Sequence, residues 1–124
     1  MIKKETKMTV ADNSDARLVL CIHANTKRAR YKKTSLANFV KVTIKRKVSR
    51  RNNIKKRVNW CLIGATPRRI ARLSGESIRF SKTKALLVDD KKKKSMGSLI
   101  KGVLPREVRA ADASEVVSRA RRLV

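Results

Sequence analysis

The chain has 124 residues, the length of a single domain, and its 34 Lys and Arg against 9 Asp and Glu give a formal net charge of +25. An apolar fraction of 41% supports only a small core. Because so much uncompensated positive charge opposes compaction, we expect a protein that works against a dense polyanion and not a self-sufficient enzyme.

Neither a membrane segment nor a targeting segment is predicted. No stretch reaches the roughly 18 consecutive apolar residues of a transmembrane helix. Residues 1–8 lack the apolar run of a signal peptide, and the early acids Glu5 and Asp12 are unusual for a transit peptide. We therefore expect no membrane partner and no cleaved leader.

The two cysteines, Cys21 and Cys61, each lie inside an apolar run. This pattern predicts buried thiols in a reducing compartment, with a disulfide as the alternative. A zinc site would need two further ligands, and the only other soft ligand in the sequence is His23. We therefore predict no metal site.

The charged side chains in the middle of the chain are all basic. Between Ala16 and Gly75 there are 18 Lys or Arg and no Asp or Glu. A one-signed block of this length is typical of phosphate binding and not of solubility alone. Residues 91–94 are four further lysines, for which a solvated surface and phosphate binding are equal alternatives.

Short apolar runs separated by polar segments predict a mainly β fold. In the clearest run Val40, Val42 and Ile44 alternate with polar residues, which is the period of a half-buried strand. Other apolar runs predict strands at residues 18–22, 58–63, 77–80 and 85–88. This pattern favours a small closed five-stranded antiparallel β-barrel, because closure removes the exposed edges of a small sheet.

The C-terminal residues change to a helical period. Pro105 is suited to the first turn of a helix. Residues 112–115, Asp-Ala-Ser-Glu, resemble a capping box, and the apolar residues after them recur at helical spacing to the end of the chain. We predict a single domain, 1–124, with the barrel and its basic loops at 1–103 and a short α-helical segment at 104–124.

No arrangement of residues in the sequence predicts a catalytic site. His23 is the single histidine, and we predict that it is an ordinary strand residue and not a base. The polar residues 12–15 are typical of a turn, and residues 97–102 lack the Lys-Ser/Thr pair of a phosphate-binding loop. We predict no catalytic residue, no cofactor and no small-molecule substrate.

The basic side chains favour contact with the phosphates and sugars of a folded nucleic acid. Phe39 and Trp60 are predicted to be core residues, which leaves Tyr31 as the one aromatic placed to stack on a base. The predicted binding side chains lie in the strands, in the loops between them and in the C-terminal segment. They are Arg17, Lys27, Arg28, Arg30, Lys32, Lys33, Lys41, Lys45, Arg46, Lys47, Arg50, Arg51, Lys55, Lys56, Arg68, Arg69, Arg72, Arg79, Lys101, Arg106 and Arg109.

Four motifs, in order, resemble the universal large-subunit ribosomal protein fourteen family. The first is Val-Ala-Asp-Asn-Ser-Asp-Ala-Arg at residues 10–17, followed by Cys21-Ile22. The others lie at residues 40–45, 77–80 and 96–109, and the resemblance runs from residue 1 to about residue 109. It implies a five-stranded barrel with a small helical C-terminal part, and a structural role on the subunit-facing side of the large ribosomal subunit.

By this resemblance the nucleic acid is large-subunit rRNA, and the protein neighbours are large-subunit ribosomal proteins three and nineteen. The resemblance also implies bridges to small-subunit rRNA, one from residues 45–51 to the long decoding-region helix and one from the C-terminal helix. Carried over by position, the bridge residues are Lys45, Arg46, Ser49, Arg50, Arg51, Val117 and Arg119. The ribosome-silencing factor is a further partner that the resemblance implies.

The chain departs from the family pattern at glycine positions. Asp15 replaces a glycine, and we expect it to tolerate the positive φ of that turn. Ala37-Asn38 and Arg57-Val58 stand where the family has Gly-Asp, and the loop before the second of these is one residue shorter. Together with the high charge, these departures predict an organelle-encoded mitochondrial member, with a bacterial or plastid protein as the alternative.

Two other functional classes remain open on the sequence alone. A DNA-compacting architectural protein would explain the charge but not the alternating strands. A small RNA-processing enzyme would need a general base, and His23 is the ordinary candidate for one.

Overall fold

The computed structural model describes residues 1–24, 34–48, 54, 56–89 and 94–124. Within these ranges the strands are β1 (Lys7–Val10), β2 (Ala16–Ala24), β3 (Phe39–Lys47), β4 (Val58–Ala65), β5 (Ile70–Ala71), β6 (Ser77–Ile78), β7 (Lys84–Val88), β8 (Ile100–Leu104) and β9 (Ala120–Leu123). A 3-10 helix (Arg106–Ala111) and helix α1 (Ser114–Arg119) lie between β8 and β9. In this described part of the chain, no helix has the length and apolar character needed to cross a membrane.

Strands β1, β2, β3, β4 and β7 close into a barrel in that order. All neighbours in it pair antiparallel except β1 and β7, which run parallel with Thr9 opposite Lys84. The predicted five-stranded barrel is confirmed, but the prediction that it is antiparallel throughout is wrong. Five strands cannot alternate in direction around a ring, because an odd number always leaves one pair of neighbours that point the same way.

The barrel interior is the first of two apolar cores. It holds Met8, Val19, Val40 and other inward-facing side chains of the barrel strands. Both thiols belong to it, since Cys21 and Cys61 are completely buried and unbridged. The prediction that the cysteines fill the core is therefore confirmed, and burial raises the pKa of both thiols above their ordinary value.

The second core lies outside the barrel, between β4 and β7 and the C-terminal segment. Leu62 and Leu86 point outward into it and meet Ile100, Leu104 and Val116. Strands β4 and β7 are therefore covered on both faces, which explains why their sequences are continuously apolar. Strand β3 is covered on one face only, and there the predicted alternation of buried Val40 and Val42 with exposed Lys41 and Lys45 is confirmed.

One predicted strand belongs elsewhere, and one barrel strand was not predicted. Residues 77–80 contribute only the two-residue β6, which pairs with β5 as a hairpin outside the barrel. The fifth barrel strand is β1, whose Met8 is buried while Lys7 and Thr9 are exposed. With only Met8 and the half-buried Val10 pointing inward, so short a strand carries little apolar signal in the sequence.

The C-terminal segment is helical for a shorter distance than its sequence period predicts. Helix α1 ends at Arg119, and β9 then pairs in parallel with β8, with Val124 N donating to Leu104 O at 2.9 Å. The predicted capping box is also wrong. Asp112 takes a left-handed φ of 57° at the end of the 3-10 helix, and Ala113 precedes α1 without a side-chain cap.

Candidate RNA-binding surface

Exposed basic side chains gather along β3 and the adjoining end of β2. In the antiparallel register Leu18 lies opposite Arg46, which brings Arg17 beside the cations at the end of β3. We call this group the β3 basic face. It consists of Arg17, Lys41, Lys45, Arg46 and Lys47, all of them exposed.

An aromatic ring orients one member of this face. The Lys41 ammonium lies 5.1 Å from the centroid of the Trp60 ring, in the register position where the two residues pair across β3 and β4. Trp60 is half-buried and, like Phe39, packs against the second core, so the prediction that these two aromatics are core residues is largely confirmed. The cation–π contact favours one position of the Lys41 side chain, whereas a surface lysine without such a contact moves among many positions.

A second basic group lies on and beside the β5–β6 hairpin. Arg68, Arg69 and Arg79 are exposed, and Arg79 Nε donates to Pro67 O at 3.1 Å, which ties the end of the hairpin to its start. Arg72 differs from these arginines because its Nε and Nη2 donate to Oε1 and Oε2 of Glu107 at 2.8 and 3.1 Å. This ion pair raises the pKa of Arg72 and lowers the pKa of Glu107.

The C-terminal segment carries a third set of cations. The predicted residues Lys101, Arg106 and Arg109 are all exposed. Arg121 and Arg122 are exposed as well; the sequence period predicted a helix for them instead of the edge strand β9, and they are not among the predicted binding residues. Four residues are too few to show the alternation of apolar and polar residues that marks a strand. No signal in the sequence would therefore have separated a strand from a helix here.

Arg119, predicted to lie in a bridge, has contacts within the chain. Its Nη1 donates to Ser95 O at 3.0 Å and to Gly97 O at 2.7 Å, and its Nη2 pairs with Glu115 one helical turn earlier. Val117, the other predicted bridge residue of α1, is half-buried. Arg119 therefore fastens α1 to the segment before β8.

Of the remaining predicted residues, Lys56 is described and exposed. The others lie outside the described residues, as does Tyr31. They are Lys27, Arg28, Arg30, Lys32, Lys33, Ser49, Arg50, Arg51 and Lys55.

The exposed acids in the described ranges, Glu5, Glu76, Asp89 and Asp112, are few beside these cations. Asp12 is buried, while Glu107 and Glu115 are engaged with Arg72 and Arg119. Within the same ranges no three His, Cys, Asp or Glu side chains are grouped so that they could hold a metal ion. His23 is exposed on β2. The described surface therefore suits a polyanion held by many separate phosphate contacts.

The motif at residues 10–17 and the motif at residues 96–109 form one structural unit. Asp12 Oδ1 accepts hydrogen bonds from Ser14 N and Oγ, and Asp12 Oδ2 accepts one from Leu87 N at 2.8 Å. Asn13 and Leu99 exchange backbone and side-chain hydrogen bonds of 3.0 and 3.2 Å. The predicted polar turn at residues 12–15 is confirmed, and the motif that contains it contacts the motif at residues 96–109.

The whole chain, residues 1–124, matches the family model of ribosomal protein L14p/L23e. The chain belongs to the L14p/L23e family. Members are structural constituents of the large ribosomal subunit, and this is not a family of enzymes. The partners of this L14p/L23e protein are thus rRNA and other ribosomal proteins.

Proposed function

We propose that this L14p/L23e protein binds large-subunit rRNA at the face of the subunit that meets the small subunit, and that it contributes bridges to small-subunit rRNA there. The observation that carries the proposal is the β3 basic face. Its Lys45 and Arg46 stand exposed at the end of a barrel strand, next to Arg17. Rigid strands present cations to phosphates at a lower entropic cost than a flexible tail does.

The first bridge would be made by the end of β3 and the residues that follow it. In the sequence Lys45, Arg46 and Lys47 are followed after two residues by Arg50 and Arg51, so a largely basic segment begins on the barrel wall. Such a segment can meet the backbone of a long RNA helix, which needs phosphate contacts and no base recognition.

The second bridge would be made by α1. Arg119 is already bonded to Ser95 O, Gly97 O and Glu115, so its part in this bridge is to hold α1 in place. The exposed side chains that flank it, Ser118 and Arg121, are available to the RNA. Ribosomal proteins three and nineteen of the large subunit are the proposed protein neighbours.

Subunit joining tests the first bridge most directly. In the double variant Lys45→Gln/Arg46→Gln, large subunits should assemble normally but the fraction of joined ribosomes should fall. The matched control is Lys3→Gln/Lys4→Gln, which removes the same charge from two exposed residues that belong to neither proposed bridge. If the β3 variant joined as well as wild type at physiological salt, the bridge assignment would be wrong.

Binding to small-subunit rRNA has its own quantitative signature. Each phosphate contact that is lost should reduce the slope of log K against log salt by roughly 0.7 to 0.9. The β3 double variant should therefore show a slope reduced by about 1.5 if both side chains touch phosphate. An unchanged slope would place Lys45 and Arg46 away from the RNA.

We further propose that the protein works in a mitochondrial ribosome. The support is its net charge of +25 and the alanine at position 37, which holds a left-handed φ of 62° that favours glycine. Rapid divergence produces this combination, in which glycine is lost from a position that favours it and positive charge is added. Fractionation of source cells tests this proposal, with recovery in mitochondria expected and recovery in cytosolic or plastid ribosomes against it.

A further inference from the structure

The β5–β6 hairpin is too small to fix its own orientation. Each strand has two residues, with Ile70 opposite Ile78 and Ala71 opposite Ser77, and the hairpin is not part of the barrel. A two-stranded hairpin alone is marginally stable at best in water. Contacts with the rest of the chain must therefore hold it in place.

Arg72 supplies a contact of this kind from within the turn. Its backbone N donates to Glu76 O at 2.9 Å and its backbone O accepts from Gly75 N at 3.1 Å. Its side chain reaches away from the hairpin to both carboxylate oxygens of Glu107 and to the backbone oxygen of Val124. One side chain thus joins the hairpin turn to the 3-10 helix and to the end of β9.

These contacts leave Arg72 poorly suited to bind phosphate itself. Three of the five N–H groups of its guanidinium, one on Nε and two on Nη2, already have acceptors. The side chain is only 18% exposed, and Glu107 neutralises its charge. A phosphate would have to compete with a bidentate carboxylate, which is among the stronger hydrogen-bonded pairs in proteins.

Arg68 and Arg69 are in the opposite situation. They lie directly before β5, both are exposed, and neither has a hydrogen-bond or ion-pair partner among the residues that the structure describes. Arg79 follows β6 and is held against Pro67 O through its Nε. The hairpin therefore carries its exposed arginines close to its base, and the Arg72 contact holds the turn at its other end.

We propose that Arg72 is a positioning residue for RNA binding and that Glu107, although an acid, promotes binding to the polyanion. The fork between them holds the hairpin so that Arg68, Arg69 and Arg79 are presented to phosphates as a preformed group. Prior alignment of the hairpin favours association, because less conformational freedom is then lost when the RNA binds. This inference rests on the proposed binding of rRNA.

The substitution Glu107→Gln separates positioning from simple electrostatics. Removing an acid near an RNA surface should strengthen binding if only charge matters. We expect instead that full-length Glu107→Gln binds purified large-subunit rRNA about five- to tenfold more weakly than wild type at physiological salt. The matched control is Glu76→Gln, which removes the same charge from the exposed turn of the same hairpin, and it should bind as tightly as wild type or slightly more tightly.

A charge exchange provides the rescue. The single variant Arg72→Glu should bind weakly, and the double variant Arg72→Glu/Glu107→Arg, whose net charge equals that of wild type, should recover to within about threefold of wild type. Hydrogen exchange at the amides of β2 and β3 shows for each variant whether the barrel is intact. Variants without an intact barrel are replaced by Arg72→Lys, which keeps the charge but cannot make the bidentate fork and should also weaken binding.

The outcomes separate this inference from the function on which it rests. If wild type binds rRNA and Glu107→Gln binds equally well or better, the positioning role is wrong and the function stands. If the exchanged double variant remains as weak as Arg72→Glu, Arg72 touches RNA directly and the inference also fails. If wild type itself does not bind rRNA, the proposed function fails first.

Discussion

A Cβ atom on Gly97 would stand 2.7 Å from Cβ of Asp12, so the two residues are as close as their backbones permit. Gly97 belongs to the segment before β8, and Asp12 belongs to the turn between β1 and β2. At this point the C-terminal segment rests on the barrel, with Lys101 N donating to Ala11 O at 2.7 Å beside it. Glycine is required here by close approach and not by its φ.

Gly97→Ala should therefore destabilise the protein by about 1–3 kcal/mol, because the new methyl group overlaps Asp12 Cβ and Asn13 Oδ1. Urea unfolding measures the change. Gly75→Ala is the control, since nothing lies within 4 Å of its Cβ and only its φ of 84° is unfavourable. We expect about 1 kcal/mol for that variant. A Gly97→Ala variant as stable as wild type would contradict the close contact.

Ala37→Gly should stabilise the protein by up to about 1 kcal/mol. Ala37 holds a φ of 62°, a conformation that costs an L-residue roughly 1–2 kcal/mol and glycine almost nothing. Part of this gain is offset by the greater freedom of glycine in the unfolded chain. Ala110→Gly, in the 3-10 helix, should destabilise instead. A loss of stability at Ala37 would show that contacts of its methyl group outweigh the backbone strain.

Asp12 gives stability a dependence on pH. Burial raises the pKa of its carboxyl above 3.8, against hydrogen bonds from Ser14 and Leu87 that lower it. Because the folded protein holds this proton more tightly than the unfolded chain, the contribution of Asp12 is fully present below pH 3.8 and is lost as pH rises through the folded pKa. The stability of wild type relative to Asp12→Asn should fall over that window. Urea unfolding at a series of pH values measures both stabilities. A difference between wild type and Asp12→Asn that stays constant with pH would contradict the expected fall.

Protonation of Glu107 changes the stability of the protein in the opposite direction from protonation of Asp12. The Arg72 guanidinium lowers its pKa below 4.5, so its contribution is fully present above pH 4.5 and is lost as pH falls through the folded pKa. The stability difference between wild type and Glu107→Gln should close in acid. A difference that widens as pH falls would rule out the ion pair as its source.

The sequence predicts those parts of the fold in which local pattern and tertiary packing agree. The alternation of Val40 and Val42 with Lys41 marked β3, and the apolar runs around Cys61 and Leu87 marked β4 and β7, since those strands are buried on both faces. Strand β1 was not predicted because its inward face consists only of Met8 and the half-buried Val10. Strand β9 was mistaken for helix because its few apolar residues fit both periods and the pairing with β8 decides between them.

The expected positive φ at Asp15 shows a further limit of sequence reasoning. Among the described non-glycine residues, positive φ occurs at Glu5, Ala37 and Asp112, and Asp15 is not one of them. The turn is closed instead by the Asp12 carboxylate and by Val48 N donating to Asp15 O at 2.7 Å. A residue that replaces a glycine of the family does not have to keep the positive φ of that glycine, because the local backbone changes with the substitution.

For the binding surface, the charge pattern predicted which side chains are exposed but not which of them have partners within the chain. Of the described arginines proposed to meet RNA, Arg68 and Arg69 are exposed and without partners, while Arg72 is occupied by Glu107. The acid that engages Arg72 lies 35 positions further along the chain. Contacts of this range follow from the fold and leave no mark in local charge patterns.

Sedimentation of the native protein tests the central claim most directly. Lysate of the source cells, separated into cytosolic and mitochondrial fractions, is run on a gradient at moderate salt and the chain is followed in each fraction. The account predicts migration with large subunits and whole ribosomes, and loss of that migration at high salt as phosphate contacts are screened. Migration with nucleoids, or as free protein at the top of the gradient, would contradict it.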